Sequence, residues 1–412
     1  MKEKPFPIEF LLLFIGGFEL LVNWQQAAIL NFISFFALVF LYLWFDQQLR
    51  GRISPQKKVK YERDQKIIFF LLIGLVLSLT MVESIFDRSR NTELSIHDGA
   101  MQMEAALNFL WRGKNPYAAD YRATEFAKAA DDIYTTQGVV IPNPAINYLI
   151  YLPANLLIGA PFYFLFRAIT GFYDQRIIGL LSFVITLFII DNLLTEEKMK
   201  RILTAALLFN PLFLWFFLDG RDDIVVLTWL LLTVLFLKKE KILASAAALG
   251  LACATKQTAW LFVPFYYAYL YFKGKDWRLV IKKTWLFPVV FLLIILPFLI
   301  WNPKAFYEAI IAYPLGITKN SYPINGFGAA VLLYKMGFAR SVTDSLPIWK
   351  LQVPIVLFTG YLLLKRQKEQ NSLANLVYHY AIFLFVFWFF SRFFHDNYVG
   401  FVSQLFLISY FL

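Results

Sequence analysis

An all-α, polytopic bundle of membrane helices is the fold class this chain's sequence predicts, and three observations carry it. Of 412 residues, 59% are hydrophobic and only 16% are charged, whereas a soluble domain is close to half apolar with about a quarter of its residues charged. Apolar runs of about 16–20 residues recur along the whole length, enough to cross a hydrocarbon layer about 30 Å thick. The runs are continuous rather than alternating. That selects helices over a strand barrel, the other structure that satisfies its backbone groups in lipid.

The elements follow in order. Residues 8–23 begin after the basic start MKEK; no A-x-A-like cleavage site follows and a second run starts at 27, so an uncleaved first span is expected rather than a signal peptide. Spans 27–45 and 67–85 flank the strongly basic QQLRGRISPQKKVKYERDQK. After a long polar stretch come 176–194, 202–218, 224–237, 242–255, 258–272 and 284–301, then 347–364, 372–390 and 398–412, which makes about twelve spans in all. Four further basic loops separate them: EEKMKR (196–201), KKEK (238–241), KGKDWRLVIKK (273–283) and KRQK (365–368). With all five basic loops in the cytoplasm, the chain obeys the positive-inside bias.

Two apolar stretches disturb this alternation. If 145–166 and 327–338 both crossed, three basic loops would turn outward; both are therefore expected to be re-entrant or interfacial, with the all-crossing topology as the alternative. Pro153, Gly159 and Pro161 interrupt the first, and the second is too short to span comfortably. Residues 1–412 read as a single membrane domain without internal repeats or low-complexity tracts. The outer loop 86–175 is too poor in apolar residues for a core of its own and is expected to lie against the membrane as interfacial helices.

The net charge of +11 does not indicate nucleic acid, because the basic residues cluster in short loops between apolar runs. The lone cysteine, Cys253, lies inside an apolar run and excludes an intrachain disulfide. The face opposite the basic loops collects the remaining polar chemistry: residues 86–144, DGRDD (219–223), TKQ (255–257), 302–327 and SRFFHDNY (391–398).

Several residues of that face are candidates. Asp98 precedes Met103, Ala106, Leu107, Leu110 and Trp111, an apolar stripe at helical spacing, so it stands where a helix N-cap belongs. Gly113 can end that helix in the left-handed conformation. Asp219, Asp222 and Asp223 with Arg221 exceed what one cap needs. Lys256, between two apolar runs with almost no loop, either snorkels, pairs with Asp222 or Asp223, or holds an anion. His395-Asp396 repeats the pairing of His97-Asp98, with Arg392 one helical turn earlier. No metal-ligand spacing joins these pairs, so no metal is expected. His379 is expected to be a hydrogen-bonded core residue. Walker, G-x-S-x-G and phosphate-cradling glycine patterns are missing, so nucleotide chemistry has no support.

The order of these segments resembles the GT-C superfamily of membrane glycosyltransferases, and within it a bacterial mannosyltransferase-like branch. The resemblance rests on Asp98-Gly99, the helix after it, GKNPY (113–117), the Pro-rich apolar stretch, GRDD (220–223), KKEKILASAAALGLACATKQTAWLFVPF (238–265), YPINGFG (322–328) and the last Arg/His/Tyr cluster. Two segments depart from the family pattern: IPNPAINY (141–148), where Pro-Pro is common, and SRFFHDNY, where Ser-Pro is more usual. The resemblance implies an inverting transfer of a hexosyl residue, mannosyl in that branch, from a polyprenyl-phosphate-linked donor to a lipid-linked or glycan acceptor. It places the reaction at the extracytoplasmic face of the cell membrane, with membrane lipids as surroundings and no cofactor. Asp98 would be the base. Lys256, Arg392, Arg221 and His395 would hold the donor phosphate. Asp222, Asp223, Asn115, Tyr117 and Tyr398 would contact sugar or acceptor. A many-span polysaccharide polymerase or ligase is a rival, although its large loop comes late and here the largest outer loop is first. A secondary transporter is another; it predicts inverted repeats and a midplane site.

Overall fold

A computed structural model describes residues 7–23, 29–91, 96–129 and 132–412; the start MKEK and the first two residues of the expected span 27–45 lie outside them. Helices α1 (Ile8–Asn23), α2 (Ile29–Arg50) and α3 (Pro55–Arg90) cover the first three expected spans. Pro55 fits the first turn of α3, where a missing N–H costs nothing, and Ser54 caps it through Lys57 N at 3.4 Å. The outer loop holds α4 (Asp98–Trp111) and α5 (Pro153–Thr170). Then follow α6 (Arg176–Leu193), α7 (Glu197–Leu208), α8 (Pro211–Asp219), α9 (Asp223–Lys238), α10 (Ile242–Thr255) and α11 (Val263–Gly274). The chain ends with α12 (Trp277–Lys283), α13 (Leu286–Trp301), α14 (Trp349–Glu369), α15 (Leu373–Phe389) and α16 (Asp396–Phe411).

The fold is an all-α bundle with helices where the apolar runs predict them. Among the described residues, three helices are long and apolar enough to cross a membrane, or five if each bent pair is one span, against the dozen expected. The expected span 202–218 is two helices. Asn210 caps α8 through Leu212 N at 3.1 Å and Pro211 starts it, so α7 and α8 meet at 64°. A second bend of 48° separates α12 from α13.

The five basic loops lie in one layer. Lys66, after α2, reaches Asp191 and Glu197 at 3.4 and 2.9 Å, and Lys200 joins the same two acids. Lys239 donates to Asn192 at 2.7 Å, Lys273 pairs with Glu240 at 2.8 Å, and Asn371, beyond α14, donates to the Tyr269 carbonyl at 3.0 Å.

At the other end, the last turn of α3, the start of α6, the α8–α9 corner, the end of α10 and the α15–α16 junction come together. Helix α5 has both ends in this second layer: Asn155 donates to Asp222 at 2.9 Å, and Phe172, just past Gly171, lies 5.7 Å from the Arg88 guanidinium. It therefore does not run from one layer to the other. Its prolines do not interrupt it, contrary to expectation. Pro153 sits in the first turn and Pro161 is inside a continuous helix, where neighbouring groups can answer the freed carbonyl. The stretch 327–338 contributes only Ala329–Lys335, seven residues.

The outer loop also differs from expectation by burying a cluster of its own. Met103, Ala106, Leu107, Tyr117, Tyr121, Phe126, Leu156, Tyr163 and Tyr173 pack with Phe298, Phe306 and Ile310. Much of this core is tyrosine ring, which an aliphatic count undervalues. His379, as expected, is buried and bonded, its Nδ1 2.7 Å from Gln367 Oε1.

Candidate active site

In the second layer, a cavity open to solvent, about 930 Å³ with that open space included, is lined by His97, Asp98, Arg221, Asp222, Asp223, Lys256, His395 and Tyr398. Residues from four distant stretches of sequence thus share one space. Three other candidates lie outside its lining: Asn115, Tyr117 and Arg392.

The helix α4 holds Asp98 at its first position rather than at its cap. The cap is His97, whose Nδ1 accepts from Gly99 N at 3.1 Å, while His97 N donates to the Asp219 carbonyl at 3.0 Å. Asp98 Oδ1 accepts from Gly99 N at 2.7 Å and lies 3.2 Å from His97 Nε2. With Nδ1 accepting, the proton of the neutral ring belongs on Nε2. Burial holds His97 below its ordinary value against the pull of Asp98, so it stays a neutral donor. Asp98 Oδ2 accepts from Asn143 Nδ2 at 2.9 Å. Gly99 has to be glycine, because a Cβ there would collide with the Tyr151 hydroxyl. Gln102, one turn on, donates to the carbonyls of Ala145 and Tyr148 at 2.6 and 3.0 Å, which ties the Asn143 turn to α4.

Lys256 is engaged. Its Nζ donates to Asp222 Oδ1 at 2.7 Å and to Asp223 Oδ1 at 2.6 Å. Burial pushes its pKa down, but the two carboxylates more than offset that and hold it above the ordinary lysine value. The second oxygens of the two acids accept from Asn155 at 2.9 Å and Asn397 at 3.1 Å. Every charge in this cluster has a partner, as a buried ion triad requires.

Arg221 has no carboxylate partner among the described residues. Its guanidinium lies 4.3 Å from the Phe216 ring centroid, and its Nε is buried without a hydrogen-bond partner among them. His395 Nε2 is likewise buried and unpartnered. Burial, with Arg221 nearby, lowers the His395 pKa to about 4. Gly220, with φ +100°, makes the corner that presents Arg221 to the cavity.

Arg392 is spent on structure. It donates to the carbonyls of Tyr322, Asp344 and Val342 at 2.6, 2.7 and 3.2 Å, and burial lowers its pKa to about 10. It thereby clamps the loop whose Asn325–Gly326 pairs in parallel with Phe393–Phe394. Tyr117 supports the cavity from behind, donating to the Tyr151 carbonyl at 2.6 Å. Tyr398 lies in the cavity wall, stacked on Trp388 at 4.4 Å. Among the described residues no group of three or more His, Cys, Asp or Glu is placed to hold a metal ion.

The sequence reading missed the amides. Asn143, Asn155 and Asn397 hold the outer oxygens of Asp98, Asp222 and Asp223, and two of them stand in the segments that depart from the family pattern, Asn143 in IPNPAINY and Asn397 in SRFFHDNY.

A bundle of apolar helices carrying an acid-and-cation cavity at one end suits a membrane-embedded transferase. The family model described as Glycosyltransferase family 87 matches residues 148–391, more than half the chain. The chain belongs to that family, which is a GT-C-type family of membrane glycosyltransferases. The match includes Arg221, Asp222, Asp223 and Lys256; it begins after Asp98 and Asn143 and ends before Arg392 and His395. Searches of curated proteins and of solved structures each found no match.

Proposed function

We propose that this glycosyltransferase moves a hexosyl residue, mannosyl in the first instance, from a polyprenyl-phosphate-linked donor to a hydroxyl of a lipid-linked or glycan acceptor. The reaction is a single displacement with inversion. The acceptor oxygen forms a bond to the anomeric carbon as the bond from that carbon to the phosphate oxygen breaks. The proton passes to Asp98 and the electron pair leaves with the phosphate. The observation that carries this reading is the shared cavity of Asp98 and Arg221, a held carboxylate and an unpaired cation.

Asp98 keeps lone pairs for a substrate proton after its bonds to Gly99 and Asn143, since a carboxylate offers about four acceptor positions. Arg221 meets the charge that develops on the leaving phosphate, and His395 Nε2 is a second, uncommitted partner there. Lys256 acts through Asp222 and Asp223, which it holds in place to face sugar hydroxyls. The side chain of Arg392 keeps the 316–344 loop closed instead of binding phosphate. Tyr398 offers a ring edge and hydroxyl to the sugar, Asn115 stands on the acceptor side of α4, and Tyr117 acts from behind by holding the Tyr151 carbonyl. The donor carries its own leaving group, so the reaction needs no nucleotide, metal or other cofactor. The positive-inside bias puts the basic layer in the cytoplasm and the cavity at the extracytoplasmic face of the cell membrane.

The test uses purified protein in liposomes with a panel of polyprenyl-phosphate sugars, read by mass spectrometry of the lipid products. One sugar phosphate should be consumed with inversion. Asp98→Asn should lower kcat by about 10²–10⁴-fold without altering heat stability. Full activity of Asp98→Asn would remove Asp98 as the base.

A further inference from the structure

Part of the cavity lining is aromatic. Tyr313, Tyr322, Phe393, His395 and Tyr398 follow one another round it, each ring centroid 4.7–6.4 Å from the next. Rings of this kind give a ligand an apolar face and a few polar tips. Tyr313 is the member whose tip is uncommitted and has no role so far. It is 1% exposed, and its hydroxyl is buried without a hydrogen-bond partner among the described residues. A buried hydroxyl left unpaired is costly, and in a native fold it calls for an explanation.

Tyr313 is fixed from two sides. Its ring packs on Tyr148 at 5.0 Å, and Gln102 of α4 donates to the Tyr148 carbonyl. Tyr148 ends the short turn that Asn143 begins, and Asn143 holds Asp98. On the other side, Gly316, with φ +78°, ends the helical turn of Tyr313. A Cβ on Gly316 would lie 2.7 Å from Arg392 Nη1, so the turn rests directly on the Arg392 clamp. The phenol therefore sits in the same framework as the proposed base. Burial, with Tyr322 and Asp98 nearby, pushes its pKa well above the ordinary value and keeps it a neutral O–H.

We propose that the Tyr313 hydroxyl donates a hydrogen bond to the 2-hydroxyl of the transferred hexose and so determines which sugar is used. The assignment rests on the proposed function. Asp98 has to reach the acceptor oxygen, which stands about 3–3.5 Å from the anomeric carbon before attack. A group held in the same framework as Asp98 faces the neighbours of that carbon: the ring oxygen, and carbon 2 with its hydroxyl. Positive charge grows on the ring oxygen as the bond to phosphate breaks, so an O–H pointed there would oppose the reaction. The 2-hydroxyl is the neighbour whose hydrogen bond strengthens in the transition state. The substrate class is therefore a hexose with a free 2-hydroxyl rather than a 2-deoxy or 2-acetamido sugar.

The experiment compares the full-length parent and Tyr313→Phe in liposomes. The substrates are the polyprenyl-phosphate hexose that the parent consumes, mannose first, and its 2-deoxy analogue, with an alkyl mannoside as acceptor. Phenylalanine keeps the ring on Tyr148 and removes only the hydroxyl. On the 2-hydroxy substrate, Tyr313→Phe should lower kcat about tenfold, the usual worth of a neutral hydrogen bond, and leave KM within about twofold, because the bond is made chiefly in the transition state. On the 2-deoxy substrate, parent and variant should agree within about twofold. The heat-denaturation midpoint of Tyr313→Phe should equal or exceed the parent's, since the lost hydroxyl had no partner in the protein. A loss of equal size on both substrates, or no loss on either, would overturn the assignment and leave the transfer reaction standing. A lower midpoint would overturn it too, by showing that the hydroxyl is bonded within the fold. A parent that consumes no polyprenyl-phosphate hexose would remove the transfer reading and this assignment together.

Discussion

Replacing Lys256 by methionine removes the one cation that two buried carboxylates share. The Asp222 and Asp223 side chains are 13% and 5% exposed, and each lies within 2.7 Å of Lys256 Nζ. Removing one partner of a buried ion pair costs about 3–5 kcal/mol, because the remaining charge is left without compensation. In the parent protein Lys256 is held above its ordinary value and stays charged at any pH of interest. In Lys256→Met, two like charges face each other, so one carboxyl is raised above its unfolded value of about 3.9. The sign follows: stability tied to that carboxyl is complete below about pH 4 and is lost as pH rises through its folded value. The gap between parent and variant should therefore be small near pH 4.5 and widest above pH 7. Heat-denaturation midpoints in detergent, followed by tryptophan fluorescence from pH 4.5 to 8, measure it. Lys256→Met/Asp223→Asn leaves one acid with Asn155 as its partner and should recover at least half of the loss at pH 7.5. A variant as stable as the parent at pH 7.5, or a gap that does not change with pH, would refute the reasoning.

Other expectations concern the same layer. The His395 pKa, lowered from 6.5 to about 4, contributes stability that is complete above pH 6.5 and is lost as pH falls toward 4; the full effect is about 3 kcal/mol. His395→Gln should flatten the pH dependence of the denaturation midpoint in that window, and an unchanged slope would contradict the burial argument. Arg392→Met orphans three carbonyls of the 316–344 loop and should open it to limited proteolysis while leaving the bundle folded; an equally resistant loop would show that the clamp is dispensable. If polyprenyl phosphate is the product, its inhibition should weaken from pH 6 to pH 8, because its second ionisation, near pH 6, adds charge in a net negative cavity. Stronger inhibition at pH 8 would contradict that balance.

Helix positions were legible because apolar runs need no partner to be recognised, and α6, α9 and α10 begin and end within a residue or so of expectation. The separation into two layers was legible too: the five basic loops do meet, and the polar segments opposite them converge. What hydropathy could not supply was length in three dimensions, since it runs straight through the Asn210-Pro211 bend. The core of the outer loop was missed because tyrosines such as Tyr117 and Tyr121 look amphipathic in sequence and bury their rings only once α5 and α13 are in place. Within the site, Asp98 and the GRDD corner stood out as charges in an apolar chain. The choice of Lys256 among an anion, Asp222 and Asp223 depended on a contact across more than thirty residues, which spacing does not encode. Asparagines are common turn residues, so Asn143 gave no sign that its amide would hold a carboxylate.

The pairing pattern changes how the cavity handles charge. Four cationic or basic candidates were expected at the donor phosphate, but Lys256 is neutralised twice over, Arg392 is bound to carbonyls, and His395 is held neutral by burial. Arg221 alone keeps an unpaired positive charge there. Against it stand three carboxylates, Asp98, Asp222 and Asp223, which with Lys256 leave the lining at net −1. Such a cavity has little electrostatic reason to hold a phosphate tightly in the ground state, so binding of the proposed donor has to come from its lipid and its sugar. Charge that grows on the phosphate as the bond breaks is met by a preorganised guanidinium, and an interaction of that kind accelerates the step rather than merely tightening binding. Once the phosphate has gained its full charge, the surrounding acids oppose its staying. One free arginine among three carboxylates therefore favours the bond-breaking step and the departure of the product together, which a ring of four cations would not do.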